Sequence, residues 1–367
     1  MTPPISSLRL PAAPLAGTSP RASATAQVAS GSIPVDRVDL AGTSPKPPVP
    51  SPKPPANPTL PAVDENRVKD LFLELVQIKG ATGNERKVAD TIVQKLGAMG
   101  YTPREDGAAA KVGGNTGNLL LDVPGTITDA PTLVLMAHMD TVPLAVGVKP
   151  QIRDGVIYSD GKTALGGDNR AGCTELLETL RLLKDNNVAH GPLQIIFTVG
   201  EEGGLLGSSA LERKDVHGHL GYAVDSFHPN DIFWGWDGPL FAPDHTGVHA
   251  AKARAQEAFN RPATAADELQ PRNNAEGFLL DFTRQGIRDI GMQPSERSLY
   301  GASSDAAALR DMGIPAMTIG AGEQDIHTRK EHISIADLKK STELIMTLVN
   351  NATAYQVDGS GHIKPRA

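Results

Sequence analysis

A single cysteine, Cys173, stands among 367 residues. An intramolecular disulfide is therefore impossible, and so is a thiolate-rich zinc site; any bound metal must be held by His and carboxylates. No run of about eighteen uninterrupted apolar residues occurs, which excludes a membrane-spanning helix. An excess of positive charge is also lacking. The 35 Lys and Arg are outnumbered by 42 Asp and Glu, for a formal net charge of −7. A nucleic-acid binder would need a basic face to displace counterions from phosphates, so that class is disfavoured. What the chain does have is 40% hydrophobic residues, enough for a core over most of its length, and 37 Gly and 29 Pro that are unevenly spread.

Residues 1–62 are rich in Pro, Ala, Ser and Thr. The stretch from Lys46 to Pro55, KPPVPSPKPP, can only be extended or polyproline-like. A short unit, LAGTSP followed by a basic residue, occurs at 15–21 and again at 40–46; two polar copies cannot build a solenoid. This region reads as a disordered tether, with docking to a proline-recognising module as the sharper alternative and no partner identified. Met1–Leu10 lacks a basic segment followed by an apolar one, so no signal peptide is recognised and a cytoplasmic location is expected, with export by another route left open.

From Asp64 onward the pattern is that of an α/β domain. Val68, Leu71, Phe72, Leu75 and Val76 recur at helical spacing behind Asp64, a plausible N-cap. A second helix is expected over 85–99. Strands are expected over 118–123, 132–137 (TLVLMA), 193–199 (LQIIFTV), 221–224 and 314–319, and helices over 171–184, 276–290 and 336–350. The apolar runs of strand length suit strands covered on both faces. Alternating strands and helices imply a mostly parallel sheet flanked by helices, with the ligand site at the carboxyl ends of the strands.

The chemistry-bearing residues follow those strands. His138 and Asp140 come directly after TLVLMA; at i and i+2 in extended chain they project to one side, where a carboxylate can fix the tautomer of a metal-ligating imidazole. Glu201 and Glu202 follow LQIIFTV and a glycine; two adjacent carboxylates at a sheet end repel each other, which cations would relieve. Asp168, in GGDNRAG, precedes a helix and could equally be only an N-cap. Asp225 follows the next strand, and GAG after the last leads to His327, which alone would read as a loop histidine. Together these residues bring His, Asp and Glu to one edge, a donor set suited to Zn²⁺ or a similar ion and sufficient for two. Two such ions are an apparatus for amide hydrolysis.

The segments LVLMAHMDTVP, GGDNRAG, FTVGEEGG, YAVDS and GASSDAAALRDMGIPAMTIGAGEQDIHT resemble the zinc exopeptidase and amidohydrolase family that includes peptidase T, bacterial glutamate carboxypeptidase and aminoacylase, and are most similar to its peptidase T-like branch. The resemblance spans most of 64–355. It implies a three-layer α/β catalytic domain and a pair of divalent ions, expected to be Zn²⁺. It further implies that Asp168 bridges the ions, that His138 and Asp225 complete one site and Glu202 and His327 the other, that Asp140 orients His138, and that Glu201 is the general base for the attacking water.

Members of that family insert a lid that often mediates dimerisation and lends a substrate-contacting His. A complete lid of four strands and two helices needs roughly 70 residues, whereas Pro239 to Ala275 supplies 37. A truncated lid of one helix and loop is expected, with His245 as a candidate substrate contact and the lid-mediated dimer absent. The expected organisation is thus a tail over 1–62, a catalytic domain over 63–238 and 276–355, a lid remnant over 239–275 and a flexible tail over 356–367. The leading functional reading is an aminopeptidase acting on short peptides. An N-acyl amino acid amidohydrolase, a carboxypeptidase, or a metal-binding remnant with little activity stay open at this point.

Overall fold

The protein is described by a computed structural model covering residues 60–225, 227–233, 273–297 and 304–366. The Pro-rich stretch before Leu60, Trp234, Trp236, His245 and nearly all of the expected lid remnant lie outside the described residues. Within them the strands run in chain order as β1 (Arg104–Glu105), β2 (Leu119–Val123), β3 (Leu133–His138), β4 (Gln151–Arg153), β5 (Val156–Tyr158), β6 (Leu193–Thr198), β7 (Leu220–Val224), β8 (Asp231–Phe233), β9 (Ser295–Arg297), β10 (Ala316–Ile319), β11 (Glu323–Gln324), β12 (His332–Ser334), β13 (Tyr355–Val357) and β14 (Ile363–Pro365).

The main sheet has the order β1-β2-β6-β3-β7-β10-β8-β9. Its centre, β6-β3-β7-β10, is parallel throughout, while β2 and β8 flank it antiparallel. The central strands are apolar on both faces for a simple reason. Successive side chains point to opposite sides of a strand. Leu133, Leu135 and Ala137 of β3 enter the larger core beneath helices Glu65–Val76, Gly167–Asp185 and Ile335–Asn351. Val134 and Met136 enter a smaller core with Leu309 of helix Ala306–Asp311 and with Leu211 and Val216. The result is three layers, with every residue of β3 and β6 buried.

Local signals set the helix ends. The Asp64 carboxylate accepts the amides of Asn66 and Arg67 at 2.9 and 3.2 Å; Asn273 and Ser334 cap Asn274–Asp289 and Ile335–Asn351 in the same way. Two features differ from the sequence-based expectation. A small antiparallel sheet, β11-β12-β5-β4, joins two loops beside the carboxyl ends of the main sheet; its strands of two or three residues are too short to leave a period. Much of the span expected as a flexible tail carries regular structure. β13 and β14 form a hairpin closed through the Asp358 turn, and Arg366 clamps it to Asp129 with bonds of 3.0 and 2.8 Å.

Because the sheet centre rests on packing from both sides, Leu135→Ala should lower the unfolding free energy by about 2–5 kcal/mol, read as a reduced urea midpoint with an unchanged slope.

Candidate active site

Parallel strands place their carboxyl ends at one edge, and connections there can bring distant residues together. β3 ends on His138, β7 is followed by Asp225, β6 leads through Gly200 to Glu201 and Glu202, and β10 leads through β11 to His327. Asp168 arrives from the start of Gly167–Asp185. It is not a helix cap: Asp168 and Asn169 depart from helical backbone, and the Asp168 side chain turns into the site.

The Asp168 carboxylate is shared. One oxygen lies 3.0 Å from His138 Nε2 and the other 3.0 Å from His327 Nε2. His327 Nε2 is also 2.7 Å from Glu202. Asp225 and Glu201 stand 3.9 and 3.8 Å from His138 Nε2. Three sets of donor atoms, each set within 4.8 Å, follow: His138 with Asp168 and Asp225, Asp168 with Glu202 and His327, and His138 with Glu201 and Glu202. All six side chains expected to bind metal or act as base are thus brought together. His138, Asp168, Glu201 and Asp225 are buried, and the other two, Glu202 and His327, are half-buried.

The electrostatics match a site built for added positive charge. Burial disfavours charge on His138, yet the carboxylates of Asp140, Asp168, Glu201 and Asp225 outweigh it and hold the imidazole well above its ordinary range. Burial likewise opposes ionisation of Asp168, but the two imidazoles keep it well below the usual carboxylate range. Burial pushes Asp225 well up, and the negative charge of Asp168 pushes it further. A rim in which one carboxylate is ionised at the expense of another has more acid than its two imidazoles can balance. Imidazole nitrogen and carboxylate oxygen in these sets are the donors that divalent ions such as Zn²⁺ take, so the residues fit the expected ions.

Asp140 braces this rim. It is fully buried, contacts His138 Nδ1 through its carbonyl at 3.0 Å and its carboxylate at 3.3 Å, and accepts the amides of Glu201 and Glu202 at 3.0 and 3.2 Å and the Thr82 hydroxyl at 2.7 Å. Burial works against its charge, but these partners, His138 foremost, hold its carboxyl below the usual range.

Among the supporting residues, Glu85 and Asn169 were not singled out by sequence. Glu85 accepts the amides of Gly83 and Gly200, tying the Thr82 loop to the Glu201 turn. Asn169 donates to Val224 O at 2.7 Å and accepts from Gly172 N at 2.8 Å. Gly172 must lack a side chain, since a Cβ there would lie 2.4 Å from both Asn169 Oδ1 and Val224 O. Arg170 is fully buried and donates to the carbonyls of Ile78 and Gly80. Asp305 starts its helix without capping it and instead accepts from Thr198 Oγ1 at 2.5 Å. Position within GGDNRAG was the available signal for Asn169; nothing local marked Glu85 or Thr82. Cys173 is a buried core residue whose thiol burial pushes up to about 12, leaving it unreactive.

Residues 134–351 match peptidase family M20/M25/M40. The chain belongs to that family. Over 370 aligned residues this M20-family chain is 26% identical to the uncharacterised protein YqjE of Bacillus subtilis, covering 79% of the chain and 99% of YqjE. Among solved structures it is similar to the aminopeptidase PepT of Bacillus cereus, with 25% identity, a TM-score of 0.64 and coverage of 79% and 99% of the two chains. A tripeptidase of Staphylococcus aureus gives 25% identity, a TM-score of 0.65 and coverage of 80% and 100%. The reading of the sequence as a peptidase T-like hydrolase with a parallel, helix-flanked sheet is borne out. No helix among the described residues is long and apolar enough to cross a membrane.

Asp140→Ala leaves three donors, one buried and two half-buried, without their acceptor. In metal-free protein it should cost about 3 kcal/mol or more in urea unfolding, and Thr82→Val, which removes only one of the three bonds, about 1 kcal/mol.

Proposed function

We propose that the protein is a dimetal exopeptidase that removes residues from the amino end of short peptides. The observation that carries this reading is the shared Asp168 carboxylate, 3.0 Å from imidazoles on opposite sides, with a further carboxylate beside each imidazole. In this reading His138 and Asp225 hold one ion, Glu202 and His327 the other, and Asp168 serves both. When bound, divalent ions, expected to be Zn²⁺, supply Lewis acidity to the scissile carbonyl and to the attacking water.

The chain's own residues do the rest. Glu201 takes the proton of the attacking water and delivers it to the departing amine. Its backbone amide is held by Asp140 at 3.0 Å, so the base is anchored to the residue that also orients His138. Fixing both through one buried residue keeps base and ligands in register, and displacements well under 1 Å matter at such sites. His245, outside the described residues, is proposed to contact substrate, and the 37-residue lid span to leave the protein without a lid-mediated dimer. The amino-terminal direction is supported by the likeness to the aminopeptidase PepT and the tripeptidase.

Two experiments test the reading. Glu201→Gln should retain the wild-type metal content, measured by elemental analysis, while turnover of tripeptides falls by a factor of about 10²–10⁴; loss of metal together with turnover would count against the base assignment. Dialysis against a chelator should abolish hydrolysis and added Zn²⁺ restore it, with tripeptides losing their first residue and N-acyl amino acids left intact.

A further inference from the structure

Asp168 must span two imidazoles, and nothing in its own side chain prevents its carboxylate from sliding toward one of them. Its backbone is therefore where the spacing has to be set. Behind that backbone sits Glu331, a buried glutamate four residues beyond His327. One Glu331 oxygen accepts the Asp168 amide at 3.0 Å and the other the Gly166 amide at 2.8 Å. The two bonds straddle Gly167, where an added Cβ would lie 3.3 Å from Glu331 Oε1 and 3.1 Å from Glu323 Cγ; the missing side chain makes room for the carboxylate. The loop carrying Glu331 is itself compact. Its amide bonds Thr328 O at 3.2 Å, and Thr328 Oγ1 bonds Asp325 O at 2.7 Å. Arg329 Nε donates to Lys162 O at 3.2 Å, a further link from this loop to the segment that leads into Gly166.

We infer that Glu331 is a positioning residue that sets the distance between Asp168 and His327, and through it the affinity of the centre for its ions. This rests on the dimetal reading above. Glu331 touches neither substrate nor reacting atoms. Its carboxylate grips the backbone of one ligand while its loop presents the other, so the two approach each other as a single braced unit. Only a carboxylate, with acceptors on both oxygens, satisfies two converging N–H donors; an amide of the same shape would turn its own N–H₂ toward one of them.

The test is metal affinity of the full chain, measured by competition with a chelator, together with the visible absorption of the Co²⁺-loaded protein. Glu331→Gln should bind Zn²⁺ about 10–100-fold more weakly and shift the Co²⁺ spectrum. Gly167→Ala, which keeps Glu331 but crowds its carboxylate, should move both readouts in the same direction and serves should Glu331→Gln not fold. Leu348→Ala, a buried truncation thirteen residues into the Ile335–Asn351 helix, should keep wild-type affinity and spectrum, which separates positioning from general loss of stability. Wild-type affinity and an unchanged spectrum in Glu331→Gln, or in Gly167→Ala if only that variant folds, would overturn the inference and leave the dimetal reading intact. A wild-type chain that takes up no Zn²⁺ or Co²⁺ would overturn both, and is recognised without reference to any variant.

Discussion

Crowding of like charge is the constraint around which this molecule is organised. Asp168, Asp225, Glu201 and Glu202 meet at one rim with Asp140 directly behind it, against two imidazoles. Burying carboxylates together is unfavourable unless hydrogen bonds and opposite charge compensate. The consequences are visible in opposite directions on neighbouring groups: the imidazoles hold Asp168 ionised, and burial with that same charge drives Asp225 toward its neutral form. A rim in this condition has a standing preference for added cations, the preference on which the proposed mechanism rests.

Such a rim also needs restraint, since repelling groups move apart when they can. The restraint is distributed over side chains outside the three donor sets. Asp140 joins the β3 end to the Glu201–Glu202 turn, Asn169 joins Asp168 to the end of β7, and Glu331 joins Asp168 to the His327 loop. Each uses a charged or amide group to satisfy backbone N–H or C=O groups that the irregular segments leave without ladder partners. The scaffold beneath, four parallel strands packed on both faces, gives these braces a rigid base.

Legibility in the sequence followed the strength of local patterning. The Asp64 cap was readable because a short acceptor precedes an apolar stripe at helical spacing. β3 and β6 were readable because both of their faces are buried and their runs are unbroken. His138 and Asp140 were readable as a pair because two residues of extended chain bring side chains to one side. The hairpin of β13 and β14 and the small sheet beside the site were not, since strands of two or three residues carry no period and are held by partners far along the chain, such as Asp129 for Arg366.

By itself, then, the sequence determined the alternation of buried strands and capped helices, the residue types at the strand ends and, through its motifs, membership of a peptidase family; these depend on neighbours within a few residues. Tertiary structure alone decided that Asp168 leaves its helix to lie between His138 and His327, and that Thr82, Glu85, Asn169 and Glu331 hold the rim in place. The physical reason is that each of those contacts joins chain segments tens to more than a hundred residues apart, and a hydrogen bond across such a gap exists only once the sheet has brought both ends to the same edge.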